Sequence, residues 1–244
     1  MKLLTTISLF IVYFFAPTQN STKVLKKMYE RYHNKWQSTF TFIQTTENYR
    51  NDSLVKTSTW YEAIKYPDNF RIDFDDTKSG NAVIFKKDSA YNFRKGKLSK
   101  VTTNDNDLTF LLGGMYFYPF DTVLVKLSRY GYNINKFHEN KWQQRDVYVI
   151  GADTKDEKAD QLWIDKKNLY VVRFIKYSKG YKEECRLSDH KKFGKGWSET
   201  AFSFFIKDKL VQKEKYRDCQ ANVNIDSRVF EPSLFGTIHW YNPQ

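Results

Sequence analysis

The residue types that most often carry out chemistry in proteins are few and widely spaced in this chain. The four histidines are His33, His138, His190 and His239, and no two are close enough in sequence to form a local metal-binding pair. The sequence contains no G-x-S-x-G nucleophile elbow, no H-E-x-x-H zinc motif, no G-x-x-x-x-G-K phosphate loop and no G-x-G-x-x-G. We therefore predict a protein that is not an enzyme and that uses no cofactor and no metal, with an enzyme kept only as a fallback.

Two groups of acidic residues could in principle form catalytic or calcium sites. Asp73, Asp75 and Asp76 cluster at the end of a predicted strand, where alternation places Asp73 and Asp75 on the face opposite Phe74. This pattern predicts an exposed acidic edge rather than a catalytic pair. The acidic residues between positions 153 and 160 lack the glycine and terminal glutamate of an EF-hand loop, so we interpret them as a solvated hairpin.

The first residues have the character of a targeting sequence. Lys2 precedes an apolar run over residues 3–16, which is followed by polar residues. The run of 14 residues is shorter than the roughly 20 that a membrane-spanning helix needs. We interpret residues 1–20 as a secretory signal peptide that is removed on export, with an N-terminal anchor helix as the alternative.

The predicted export restricts which partners the net charge can indicate. The formal net charge of +12 suits nucleic acid, anionic membranes or acidic partners, but an exported protein does not meet the genome, so we predict no nucleic-acid partner.

Cys185 and Cys219 would enter an oxidising space. One predicted strand separates them, and two strand spacings of about 4.7 Å exceed the Cα reach of a disulfide. Two unpaired cysteines are expected, although the inferred register leaves pairing open.

The elements that would position a site begin with a helix. Apolar residues recur at helical spacing through TKVLKKMYERYHNKW (Thr22–Trp36), with Ser21 or Thr22 as a plausible N-cap. The period then changes to two, with apolar side chains on shared strand faces. The groups that share a face are Phe40 and Phe42; Trp60, Glu62 and Ile64; Phe70, Ile72 and Phe74; and Val83 and Phe85.

Residues 105–131, which we call the lid, interrupt this alternation. They are unusually apolar, contain Gly113-Gly114 and Pro119, and predict two short helices around a glycine-containing loop. About four strands precede the lid and about six follow it. One helix and a short insert cannot cover both faces of so large a flat sheet. The predicted fold is therefore mainly β (α+β): a strongly curved, incompletely closed antiparallel β-barrel with an N-terminal helix and a helical lid over its concave side.

Five segments of the sequence follow one another in an informative order. They are STFTFIQTT (Ser38–Thr46), WYEAIKYPDNFRIDF (Trp60–Phe74), SAYNFRKGKL (Ser89–Leu98), QLWIDKKNLYVVRF (Gln161–Phe174) and VFEPSLFG (Val229–Gly236). Together they resemble the LolA family of periplasmic outer-membrane lipoprotein carriers. The resemblance covers nearly all of residues 21–240. It implies a single half-barrel domain over residues 21–244, a periplasmic location and an apolar cavity beneath the lid that holds the acyl chains of lipoproteins in transit.

The resemblance also implies where ligand would bind. The expected cavity and lid residues are Phe40, Phe42, Phe70, Ile72, Phe110, Leu111, Leu112, Met115, Phe117, Phe120, Leu124 and Leu127. In the carrier itself an arginine precedes the turn proline and matters for handing cargo on, whereas this chain has Tyr66 at that transfer-related position. This difference concerns the transfer step and not cavity binding.

The sequence leaves open two functions and two descriptions of the barrel interior. The leading hypothesis is a monomeric, non-enzymatic carrier that binds lipoprotein or lipid acyl chains and moves them through the periplasm towards the outer membrane, with membrane-bound donor and acceptor proteins as possible partners. The alternative is a periplasmic sensor or interaction domain of the same fold that binds a protein or an amphiphile. The lid side chains either enclose a cavity or fill the barrel as core, since small barrels are often filled by their own side chains.

Overall fold

A computed structural model describes residues 20–104, 107–156, 158–177 and 180–241. The predicted signal peptide, apart from Asn20, lies outside the described residues. Within those ranges, no helix is both long enough and apolar enough for a bilayer crossing.

The first helix, α1 (Ser21–Tyr32), begins one residue earlier than predicted and ends four residues earlier. The side chain of Asn20, and not that of Ser21 or Thr22, caps it by accepting a hydrogen bond of 2.9 Å from the backbone N–H of Lys23. The helix ends because Asn34 takes a positive φ of 60°, which breaks the helical backbone before Trp36.

Six strands precede the lid and nine follow it among the described residues. Their bounds are β1 (Thr39–Arg50), β2 (Ser53–Lys65), β3 (Asn69–Phe74), β4 (Ala82–Lys86), β5 (Ser89–Arg94), β6 (Lys97–Thr103), β7 (Phe137–Trp142), β8 (Arg145–Ile150), β9 (Gln161–Asp165), β10 (Val171–Lys176), β11 (Glu183–Ser188), β12 (Lys191–Phe193), β13 (Gly196–Ser198), β14 (Ala201–Ile206) and β15 (Lys209–Ala221).

Thirteen of these strands form one antiparallel sheet in the order β6-β5-β4-β3-β2-β1-β15-β14-β11-β10-β9-β8-β7, and β12 pairs with β13. The sheet is not closed, since β6 and β7 remain its edges. This confirms the predicted fold class of an open, curved antiparallel barrel with few helices. The two halves of the chain join in the middle of the sheet, where β1 pairs with β15.

The predicted number of strands was too low. The mostly exposed, polar edge strands β6 (KLSKVTT) and β7 (FHENKW) carry little apolar alternation, so the sequence pattern gives them no clear signal. The single strand predicted between Cys185 and Cys219 corresponds to β14, because the chain first forms the small hairpin of β12 and β13 and then joins the large sheet.

The lid has the predicted form of two short helices around a glycine loop. They are α2 (Leu108–Leu111) and α3 (Phe120–Arg129), joined through a 3-10 turn at Gly114–Phe117. Together with α1, the lid packs against the inner side of β8–β11 and buries the largest apolar cluster among the described residues.

The outer side of the sheet carries an ion pair that contradicts one prediction. Asp73 is buried, not exposed, and its carboxylate accepts two hydrogen bonds of 2.9 Å from the guanidinium of Arg71. Arg71 also donates to the carbonyl oxygens of Val229 and Ile238, and Trp240 Nε1 donates to Asp73. The C-terminal segment covers this part of the sheet, which strand alternation alone could not reveal. The neighbouring Asp75 and Asp76 are exposed as predicted.

The two cysteines are free in the structure. Cys185 lies on β11 and Cys219 on β15, and β14 runs between these strands. This agrees with the spacing argument from the sequence.

Candidate functional site

A cavity of about 240 Å³ lies on the concave side of the sheet, beneath the start of the lid. It has room for about eight water molecules at roughly 30 Å³ each, which is the scale of one short alkyl chain. Its walls come from β1, β2, β3, β14 and β15, from α2 and from the loop before β14. The lining residues are Phe40, Phe42, Gln44, Trp60, Glu62, Ile64, Tyr66, Phe70, Ile72, Leu108, Thr109, Leu112, Ser198, Glu199, Phe202, Phe204, Gln212, Glu214 and Tyr216.

Strand register brings the first half of this wall together. Phe42 of β1 pairs with Glu62 of β2, and Glu62 pairs with Ile72 of β3. Two register positions further along, Phe40 and Ile64 form an apolar pair. Because side chains alternate along a strand, all of these residues point to the concave side.

The other half of the wall comes from the C-terminal strands. Gln44 of β1 lies opposite Tyr216 of β15, and Glu214 of β15 lies opposite Phe202 of β14. The ring of Tyr216 stacks on that of Phe42, with centroids 4.1 Å apart. The site is thus built where the two halves of the chain meet in the sheet.

Tyr66 connects the sheet to the lid. Its hydroxyl donates to the carbonyl oxygen of Leu112 over 3.3 Å, and its ring stacks on Phe117 with centroids 5.6 Å apart. The hydroxyl of Tyr118 donates to the carboxylate of Asp68 in the same turn. The position that the resemblance links to transfer therefore contacts the lid directly.

Gly113 makes the close packing of the lid possible. Its φ of +154° is one that other residues rarely adopt, and an added Cβ would lie 2.2 Å from Trp36 Nε1. The next residue, Gly114, would place a Cβ 2.9 Å from the carbonyl oxygen of Thr109. Neither position accepts a side chain while the lid stays in this place.

Helix α1 holds the lid from the opposite side. Tyr29 donates from its hydroxyl to the carbonyl oxygen of Tyr118 over 2.9 Å, and His33 Nδ1 lies 2.8 Å from the carbonyl oxygen of Tyr116. The ring of Tyr116 also packs between Tyr32 and Trp36, at centroid distances of 5.4 Å and 4.7 Å. The contacts that close the lid are therefore mainly aromatic packing and a few hydrogen bonds to main-chain oxygens.

The residues that the sequence assigned to the cavity and lid fall into two sets. Those that line the cavity are Phe40, Phe42, Phe70, Ile72, Leu112 and the transfer-related Tyr66. Phe110, Leu111, Met115 and Leu127 are buried instead in the apolar cluster with α1 and β8–β11, and Phe120 and Leu124 pack at its edge. Phe117 is 37% exposed. Both interiors left open by the sequence therefore occur, with a cavity under the beginning of the lid and a filled core under the rest.

Three carboxyl groups in the cavity wall are the functional feature that sequence reasoning did not single out. They are Glu62, Glu199 and Glu214. The signal for Glu62 was present, because it shares a strand face with the apolar Trp60 and Ile64. Nothing local marked the other two, since their position depends on the pairing of β15 with β1 and on the course of the loop before β14.

Burial raises the pKa of each of these carboxyl groups. Desolvation brings the pKa of Glu199 to about 8 and that of Glu214 to about 7, and it raises the pKa of Glu62 well above its usual range. The charge of Glu214 adds to the rise at both Glu62 and Glu199. Hydrogen bonds from Gln212 and Tyr216 stabilise the charged form of Glu214 and so limit the rise of its pKa. The wall of the cavity is thus mostly apolar and contains three buried carboxyl groups.

A wider groove of about 870 Å³ adjoins the cavity and shares Leu108, Phe204 and Gln212 with it. Its rim is charged, and Lys176 Nζ lies 3.6 Å from the carboxylate of Asp107. The cavity and the groove are therefore neighbours, separated by side chains that border both.

The described residues contain no arrangement for metal chemistry. In ranges 20–104, 107–156, 158–177 and 180–241, no three His, Cys, Asp or Glu side chains are placed to hold one ion. His190 is half-buried against the ring of Tyr170, its Nε2 donates a hydrogen bond of 3.0 Å to the carbonyl oxygen of Val171, and desolvation lowers its pKa to about 4.

No protein-family model matches the sequence, and no curated protein matches it. Solved structures do match. A DUF1329 family protein from Desulfovibrio piger has a TM-score of 0.64 at 14% identity, covering 88% of this chain and 97% of its own. A candidate outer membrane lipoprotein-sorting protein domain from Vibrio parahaemolyticus has a TM-score of 0.63 at 12% identity, covering 87% and 97%. A LolA superfamily protein from Nitrosomonas europaea has a TM-score of 0.58 at 15% identity, covering 87% and 98%. The chain therefore has the fold of the LolA superfamily and of DUF1329 proteins.

Proposed function

We propose that this protein is an exported, non-enzymatic carrier that holds the acyl chain of a lipid or lipoprotein in the cavity and carries it through the periplasm towards the outer membrane. The observation that carries the proposal is the cavity itself, which lies on the concave side of an open barrel and is covered by a lid. The fold shared with a candidate outer membrane lipoprotein-sorting domain supports the same function. The apolar segment at residues 3–16 supports export.

The cavity suits a single alkyl chain in both size and chemistry. Burial of each CH₂ group contributes about 0.8 kcal/mol, so eight carbons supply roughly 6 kcal/mol before the cost of ordering the chain. The walls that would contact the chain include Phe40, Phe42, Ile64 and Phe70. A longer chain has to continue into the adjoining groove or displace the lid.

The lid contacts are suited to opening. Tyr66, Tyr29 and His33 each make one hydrogen bond to a main-chain oxygen of the lid. Such bonds contribute about 1 kcal/mol each, because water replaces them on opening. Cargo release would exchange these contacts for water and would leave the sheet intact.

The proposal is tested with laurdan, an uncharged fluorophore that carries an alkyl chain. Full-length protein should bind it saturably with a blue shift in emission. Leu112→Asp places a charge in the cavity wall and should weaken binding at least about tenfold, since burying an unpaired charge is strongly unfavourable. Val125→Asp on α3 is the matched control, because Val125 is 67% exposed.

Circular dichroism first establishes that both variants are folded. The carrier proposal is contradicted if the parent protein does not bind laurdan, or if folded Leu112→Asp binds it as the parent does. Binding of a protein partner without any alkyl ligand would then favour the interaction-domain alternative.

A further inference from the structure

The charge of the cavity is opposite to that of the protein. The chain has a formal net charge of +12, yet the residues that line the cavity include three glutamates and no lysine, arginine or histidine. A carrier for a free fatty acid or a phosphate group would be expected to place a basic side chain near the anion. The ionisable side chains in this lining are all acids, namely the three glutamates and two tyrosines.

Glu62, in the wall of this cavity, has an acceptor atom without a partner. Its side chain is 3% exposed, it lines the cavity, and its Oε1 atom has no hydrogen-bond partner among the described residues. A buried polar atom without a partner is unfavourable by about 1–3 kcal/mol, and few such atoms occur in native proteins. Its strand neighbours in the wall, Phe42 and Ile72, offer no donor.

Glu214 is coupled electrostatically to each of the other two acidic side chains. Its charge raises the pKa of both Glu62 and Glu199, which places each of them within electrostatic reach of Glu214. Gln212 and Tyr216 already donate to Glu214, so part of its acceptor capacity is used.

We propose, building on the carrier function proposed above, that the cavity selects an alkyl chain that bears a primary ammonium group, which Glu62, Glu199 and Glu214 bind. An ammonium group carries three donors and one positive charge, and both match a cluster of carboxyl groups. A hydroxyl group would supply a single donor and no charge. A carboxylate or phosphate would find no basic side chain in this lining to balance its charge.

The binding of an amine also has a required pH dependence. The titratable side chains that face the cavity are Glu62, Glu199, Glu214, Tyr66 and Tyr216. Burial favours the protonated form of each glutamate, so a bound ammonium group must displace a proton from one of them. Affinity for the amine should therefore rise as the pH increases from 6 to 8, and affinity for an uncharged chain should stay constant.

The experiment compares octylamine, 1-octanol and octanoate with the full-length protein by isothermal titration calorimetry at pH 7. The eight-carbon chain matches the size of the cavity. We expect octylamine to bind at least about tenfold more tightly than octanol, octanoate to bind more weakly than octanol, and octylamine binding to release a proton, measured from the buffer dependence of the heat.

Glu62→Gln should lower the affinity for octylamine at least about tenfold and leave that for octanol unchanged. The amide has the shape of the protonated acid, so the variant is expected to fold, and thermal unfolding verifies this. Glu30→Gln on α1 is the matched control, since Glu30 is exposed to solvent. If octylamine and octanol bind equally, or if Glu62→Gln affects both alike, ammonium selection is wrong while the carrier proposal stands. If none of the three compounds binds, both proposals fail.

Discussion

The buried carboxyl of Glu199 should make the protein less stable as the pH rises. Glu199 is 6% exposed and lies in the cavity wall after β13, near Glu214 and with no basic neighbour in that wall. Its pKa in the folded protein is about 8, because burial disfavours the charged form, against an ordinary value of 4.5. Replacing it with glutamine removes the titration and retains a neutral side chain of the same shape.

The sign and the size of the effect follow from proton linkage. Between pH 4.5 and about 8 the folded protein binds the Glu199 proton and the unfolded chain releases it, so the free energy of unfolding falls as the pH rises. The stabilising contribution is complete below pH 4.5 and is lost above pH 8. At about 1.4 kcal/mol for each pKa unit, the loss is on the order of 5 kcal/mol.

Guanidinium chloride unfolding at pH 5, 7 and 9, followed by tryptophan fluorescence, measures this effect. Glu199→Gln should match the parent protein at pH 5 and exceed it by several kcal/mol at pH 9. Glu30→Gln, a change on the exposed side of α1, should follow the parent at every pH. The reasoning is refuted if Glu199→Gln and the parent lose stability with pH to the same extent.

Two further substitutions at closely packed positions, each compared with an exposed control, test which contacts stabilise the fold. Gly113→Ala should lower the free energy of unfolding by at least about 2 kcal/mol, since φ is +154° and the new Cβ would lie 2.2 Å from the indole nitrogen of Trp36. Gly96→Ala, with open space around it, should lower that free energy by about 1 kcal/mol. Equal losses for the two variants in urea unfolding would contradict the close packing of the lid. Arg71→Met should lower the free energy of unfolding by about 3–5 kcal/mol, because it leaves the buried Asp73 charge unpaired. Arg217→Met, in an exposed ion pair, should lower it by less than about 1 kcal/mol. Similar small losses for both variants in urea unfolding would show that the buried ion pair does not stabilise the fold.

The general fold follows from the sequence because apolar alternation is strong in its central strands. Phe40 and Phe42, or Phe70 and Ile72, alternate with polar residues as expected for a sheet with one face in a core. Edge strands such as β6 are mostly exposed, so no burial requirement marks them in the sequence. The end of α1 was misplaced because the turn at Asn34 precedes Trp36, which still packs against the helix.

The cavity was only partly predictable. Strand alternation identifies the inward faces of β1 and β3, and these line the cavity. It does not determine which lid residues contact the cavity, since Leu111 and Leu112 are adjacent in sequence and only Leu112 borders it. Nor does it reveal that Asp73 is covered by the C-terminal segment, or that Glu214 lies opposite Phe202 in the cavity wall. These features depend on contacts between distant parts of the chain.

The central claim is that the cavity carries an alkyl chain, and the most direct measurement is the mass spectrometry of what the protein holds. The protein is purified without detergent, extracted with organic solvent and analysed beside Leu112→Asp and Val125→Asp. A carrier of alkyl chains should yield about one alkyl-chain compound for each molecule of the parent and of Val125→Asp, and this compound should be lost from Leu112→Asp. An extract without such a compound, or with equal amounts from all three proteins, would contradict the carrier function.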